Sequence, residues 1–150
     1  MISQTAEYAL RAMVFLAMRD SAATGQEIAQ TTKVPPGYLS KLMQKLVKAK
    51  LVNSQRGIGG GFVLSRAATE ISILDVINAV DPIERIKTCP LGISSHGFNL
   101  CPLHKRLSDA TAHVEAAFAA TNLSELVEES RSPLWANVPL TPHEACGNKS

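Results

Sequence analysis

Pro35-Pro36-Gly37-Tyr38-Leu39-Ser40-Lys41-Leu42-Met43-Gln44-Lys45-Leu46-Val47-Lys48, followed by Leu51-Val52-Asn53-Ser54, Gln55-Arg56-Gly57-Ile58-Gly59-Gly60 and Gly61-Phe62-Val63-Leu64, decides the fold. Proline suits the first turn of a helix, where the missing N–H has no partner in any case. Leu39, Leu42, Met43, Leu46 and Val47 then recur at the spacing of one buried face, so the stretch predicts a helix from about Pro36 to Lys50. Ser40, Lys41, Gln44, Lys45 and Lys48 point the other way. Leu51–Ser54 and Gly61–Leu64 read as two short strands, and the glycines between them permit a tight hairpin.

Working outward, Thr5 is expected to cap a first helix that carries Ala6, Leu10, Met13, Val14 and Ala17 on one stripe and ends near Asp20. Ser21–Gly25 reads as a turn, and Thr24 or Gly25 opens a short second helix. Thr31–Val34 is a tight connection into the Pro-Pro start. After the hairpin, Ser72 caps a helix from Ile73 through Val80, which stops before Pro82. Pro102 begins a long helix to Ala120 with Leu103, Leu107, Ala110, Val114, Ala117 and Phe118 on one stripe, and Thr121 caps a last short helix. The fold class is therefore mainly α with a small β-hairpin: a winged helix-turn-helix followed by a long C-terminal helix.

The expected organisation is a winged helix-turn-helix unit over 1–81, a cysteine-containing loop over 82–101, a long helix with a short last helix over 102–129, and a flexible tail over 130–150 that holds Pro133, Pro139 and Pro142. A loop as long as 82–101 is uncommon in a small domain and is usually functional.

The chain has 150 residues, the size of one domain, and a net charge of only +2. Position matters more than the sum. Between Ile28 and Thr69 lie Lys33, Lys41, Lys45, Lys48, Lys50, Arg56 and Arg66 with no acid, so that window is +7 and the remainder −5. No run approaches the roughly 18 to 20 apolar residues that a membrane span needs, and no basic stretch followed by an apolar core opens the chain. The expected location is the cytoplasm. Three cysteines, an odd number, argue against a disulfide framework there. An aromatic share of 5% is too small for a platform that stacks single-stranded bases.

Duplex DNA presents closely spaced phosphates, and neutralising them with Lys and Arg releases counterions. In a helix-turn-helix the N-terminal part of the third helix meets base edges, which nominates Pro36, Gly37, Ser40, Lys41 and Gln44. Lys45 and Lys48 are placed on phosphate. Arg56, with Gly57, Ile58 and Gly59 at the hairpin tip, is placed in the minor groove, where narrow grooves concentrate negative potential. The competing reading is that these lysines only solvate a helix face. Enzyme chemistry lacks its motifs: there is no Cys-x-x-Cys, no G-x-S-x-G, no phosphate loop and no His-Glu-x-x-His, and no small-molecule substrate is expected.

Cys89 and Cys101 flank His96, and His104 stands one helical turn after Cys101. Thiolate with imidazole suits zinc, copper or iron–sulfur chemistry rather than calcium or magnesium. Cys146 is the cysteine left over.

Tyr8-Ala9-Leu10-Arg11-Ala12-Met13, Tyr38-Leu39 and Arg56-Gly57-Ile58-Gly59-Gly60-Gly61-Phe62-Val63-Leu64 resemble the IscR/NsrR (Rrf) family of bacterial transcriptional regulators, from the start of the chain to about Val127. The resemblance implies a homodimer whose long helices cross, two recognition helices on a pseudo-palindromic operator, and in many members an iron–sulfur cluster. The apolar stripe of the long helix fits a dimer seam independently, against a reading in which it packs only on its own domain. Cys89, Cys101 and His104 match the family's first cysteine, last cysteine and a histidine found in some members. The middle cysteine has no match; it falls near Ser95, beside His96. Glu7 matches a carboxylate that some members supply from the second subunit, although Glu7 and Arg11, four apart, can simply pair. His96 can equally face solvent, and His104 can serve as a hydrogen-bonding group near a helix start. The expected cofactor is a 2Fe-2S cluster, with zinc, or no metal and a Cys89–Cys101 disulfide, as alternatives.

Overall fold

The structure is a computed structural model that describes residues 2–88 and 100–130. Its elements are α1 (Gln4–Ala17), α2 (Gly25–Thr32), α3 (Pro36–Lys48), β1 (Val52–Gln55), β2 (Gly61–Leu64), a single 3-10 turn (Ala68–Glu70), α4 (Ile73–Val80), α5 (Pro102–Ala120) and α6 (Leu123–Ser130). The tail from residue 131 onward, with its expected flexibility, lies outside the described residues.

Ser3, not Thr5, caps α1: its Oγ accepts the Ala6 N–H at 3.2 Å. Thr5 lies inside the helix, where its hydroxyl meets that of Tyr38. The helix closes at Ala17 instead of Asp20, because the Met18 and Arg19 N–H groups tighten onto Phe15 and Leu16. More than one face is covered. Ala6, Ala9, Ala12, Met13, Val14, Phe15 and Leu16 are buried, whereas Leu10 and Ala17 are only half-buried. Alanine lets α2, α3, α4, α6 and β2 all approach this central helix.

In α2, Thr24 and Glu27 form a reciprocal capping box. The connection to α3 turns at Lys33, in the left-handed region at φ 58°, before Val34 buries. In α3, Leu39, Leu42, Met43 and Leu46 enter the core, with Val47 at its edge. The helix stops at Lys48, two residues early. Lys50 adopts φ 59°, its N–H bonds Val47 O, and Leu51 N–H reaches Leu46 O at 3.0 Å, a Schellman turn that drives Leu51 inward.

The strands pair antiparallel with Val52 opposite Leu64 and Gln55 opposite Gly61, so β1 lies one residue later than the sequence suggests. Ala23, expected in a turn, instead bridges the free edge of β2 through two backbone bonds to Phe62. That bridge fixes the wing to the start of α2. Ser72 caps α4 in a second box with Asp75. Asn122, rather than Thr121, caps α6, exchanging bonds with Glu125; the Thr121 hydroxyl turns back to Ala117 O. Leu123 and Val127 of α6 join the same core as α1 and α3. By contrast, α5 contributes no buried residue.

Candidate nucleic-acid interface and thiolate donors

Because one face of α3 is spent on the core, its other face is available. Pro36, Gly37, Ser40, Lys41, Gln44, Lys45 and Lys48 are all exposed. Among the described residues nothing lies within 4 Å of where a Cβ on Gly37 would stand. Tyr38 fixes the start of the helix: its ring meets that of Tyr8 edge-on at 5.6 Å, and its hydroxyl meets Thr5. Arg11 stacks over Tyr8 at 5.3 Å and reaches the Thr32 carbonyl at 3.4 Å, which holds α1 against the turn between α2 and α3. Tyr8 and Tyr38 stood in the sequence as motif letters, and this joint could not be read from them.

The seven basic residues do not share one fate. Lys45 donates to Val80 O at 2.9 Å, and Arg66 is engaged with Glu70 O and Asp75. Among the described residues no carboxylate pairs with Lys33, Lys41, Lys48, Lys50 or Arg56. With Lys45, whose bond to a neutral carbonyl leaves its charge intact, six of the seven have no carboxylate partner among the described residues.

Arg56 and Ile58 stand at the wing tip, where Ile58 is wholly exposed. The glycines there have separate reasons. Gly57 and Gly59 adopt φ 96° and 74°, which glycine tolerates without strain. At Gly60 a Cβ would lie 2.6 Å from Gln55 O, and at Gly61 2.4 Å from Ala23 O. The wing is therefore narrow, fixed and tipped by one arginine and one apolar side chain.

Cys101 is the N-cap residue of α5, and its Sγ lies 3.2 Å from His104 Nδ1, both half-buried. A thiolate and an imidazole at that separation can face one metal ion, so the two residues fit part of a soft-metal site. Cys89, His96 and Cys146 lie outside the described residues. Among the described residues no three His, Cys, Asp or Glu side chains gather into a metal-holding group. Within the chain, Glu7 is ion-paired with Arg11, the latter largely covered.

The profile of the Rrf2 family, described as iron-dependent transcriptional regulators, matches residues 2–129. The chain belongs to the Rrf2 family. It is 30% identical over 137 residues to an HTH-type transcriptional regulator of Aquifex aeolicus, covering 89% of this chain and 95% of that protein. Similarity to the HTH-type transcriptional regulator IscR of Xenorhabdus nematophila is 29% over 129 residues, covering 85% and 79%. Among solved structures, CymR, the global cysteine regulator of B. subtilis, aligns with a TM-score of 0.66 and 28% identity over 86% of this chain and 97% of that one. Rrf2 proteins are transcriptional regulators and not enzymes, and membership makes this chain a DNA-binding one with a winged-helix fold. No described helix is long and apolar enough to cross a membrane.

Proposed function

We propose that the chain acts as a homodimer on a pseudo-palindromic operator, with its affinity set by a 2Fe-2S cluster. Residues 1–81 read DNA, 82–101 carry most of the donors, and 102–129 pair two copies. Pro36, Gly37, Ser40, Lys41 and Gln44 meet base edges in the major groove, and Lys48 holds phosphate. Arg56 enters the minor groove, with Gly57, Ile58 and Gly59 following its walls.

The observation that carries the regulatory half is the convergence of Cys101 and His104 at the first turn of α5. Cys89 completes the thiolates, and the fourth donor is Glu7 of the second copy or His96. Mixed sulfur, nitrogen and oxygen ligation suits a labile, responsive centre better than an electron carrier. When bound, such a group supplies a ligation state that oxidants or nitric oxide can change. The residues translate it: Cys101 is the N-cap of α5, so a shift of its first turn moves the helix on which the second copy packs.

Anaerobic purification, visible absorption and iron and sulfide analysis test this, with duplex binding followed before and after nitric oxide. We expect coloured protein with about two irons per chain, loss of colour in Cys101→Ala, and DNA affinity that changes with the centre. Colourless protein with stoichiometric zinc, or a Cys89–Cys101 disulfide that alone governs binding, would overturn the cluster and leave the DNA-reading face standing.

A further inference from the structure

The last carbonyls of a helix have no partners within it and must find them elsewhere. At the end of α4 the Asp81 N–H closes on Ile77 O at 2.8 Å, while the Val80 carbonyl accepts the Lys45 ammonium of α3 at 2.9 Å. A cation at a helix C-terminus is also favoured by the helix dipole. Lys45 therefore spends its charge on the fold although it lies on the face expected to meet phosphate.

The chain that leaves Val80 leads to Cys89, and its described part is held at further points. Ile83 packs against the core and its N–H reaches Asn78 Oδ1 at 3.4 Å. Arg85 Nε meets Glu115 Oε2 of α5 at 2.6 Å. Between Val80 and Arg85, then, the backbone bonds to α3 and α4, and the Arg85 side chain pairs with α5.

We propose that Lys45 is a positioning residue, which sets the recognition helix against the base of the cysteine segment and carries movement of residues 81–88 to the DNA-reading face. This rests on the DNA-reading role of α3 but needs no cluster. It separates Lys45 from Lys48 by physics: a lysine on phosphate contributes to counterion release, whereas one held on a carbonyl neutralises no phosphate and acts chiefly through geometry.

The test uses the full chain and a duplex that the wild-type protein selects from a random library, with affinity measured against salt. Lys45→Met keeps the apolar stem and removes the bond. It is expected to weaken binding about three- to tenfold while leaving the log–log salt slope unchanged, whereas Lys48→Met lowers that slope by about one. Arg85→Gln, which releases the segment from α5, weakens binding in wild type and adds less than about twofold on top of Lys45→Met, because both act through one link. Lys45→Arg, which can still reach Val80 O, retains the wild-type response to Arg85→Gln and serves if Lys45→Met melts far below wild type. A salt slope that falls by about one in Lys45→Met, or effects of the two substitutions that simply multiply, overturns the proposal. Failure of the wild-type chain to select any duplex overturns the DNA-reading role itself, and the proposal falls with it.

Discussion

At the scale of single residues, the wing shows two different demands for glycine. Gly57 needs only its positive φ, with open space where a Cβ would stand. Gly61 combines φ 144° with the backbone of Ala23 pressed against the missing Cβ. Gly57→Ala should cost about 1 kcal/mol of left-handed strain. Gly61→Ala must also push β2 off Ala23, breaking the bridge that ties the wing to α2, and should cost about 2 kcal/mol or more. Urea midpoints of the two variants check this, and equal losses would show that the Ala23 contact carries nothing. The need for glycine in a hairpin tip is legible in the sequence because it is local. The clash at Gly61 is not, because its partner lies 38 residues earlier.

Elements were readable to the extent that their ends are set by neighbours in sequence. The starts of α2 and α4 follow from Thr24 and Ser72, each with an acid three residues on. Where two candidate caps stand close together, as Ser3 and Thr5 or Thr121 and Asn122, only geometry selects the one whose oxygen reaches the N–H three residues on. The end of α3 depended on Lys50 taking a conformation that nothing in a lysine announces. The site divides similarly: the exposed face of α3 follows from periodicity, but the diversion of Lys45 to Val80 depends on the packing of α3 against α4. The α2 box also makes a prediction in pH. The Thr24 N–H and then its hydroxyl hold the Glu27 carboxyl below its ordinary value; desolvation opposes them, and the charge of Arg19 adds the smallest contribution. A depressed folded-state value means that the contribution is complete above the unfolded glutamate value, about 4.3, and is lost as pH falls through the folded one. Wild type should therefore lose stability more steeply than Glu27→Gln between about pH 5 and pH 3, measured by denaturant titration; parallel curves would remove the cap from the account.

For the molecule as a whole, α5 is the element that the other described residues do not explain. It is 19 residues long, buries no residue, and leaves Leu103 64% and Leu107 48% exposed beside exposed Ala110 and Ala117. Only part of the stripe turns inward, Phe118 against the core and Val114 half-covered. An isolated helix in water draws little stability from propensity alone, so a length of about 28 Å with an apolar seam calls for a surface to lie on. In the homodimer proposed above, a second copy of the same seam would satisfy that need by symmetry and would set two recognition helices at a fixed spacing on DNA. Leu107→Glu places a charge in the exposed N-terminal half of that seam without touching the core beneath. The variant should sediment as a folded monomer where wild type sediments as a dimer. Its affinity for a two-half-site duplex should fall by about a hundredfold or more, because the second half-site is no longer bound intramolecularly. Binding to a single half-site should change little, since α3 and the wing are intact. A Leu107→Glu protein that remains dimeric, or a wild type that sediments as a monomer while still favouring the two-half-site duplex, would move the pairing surface away from α5.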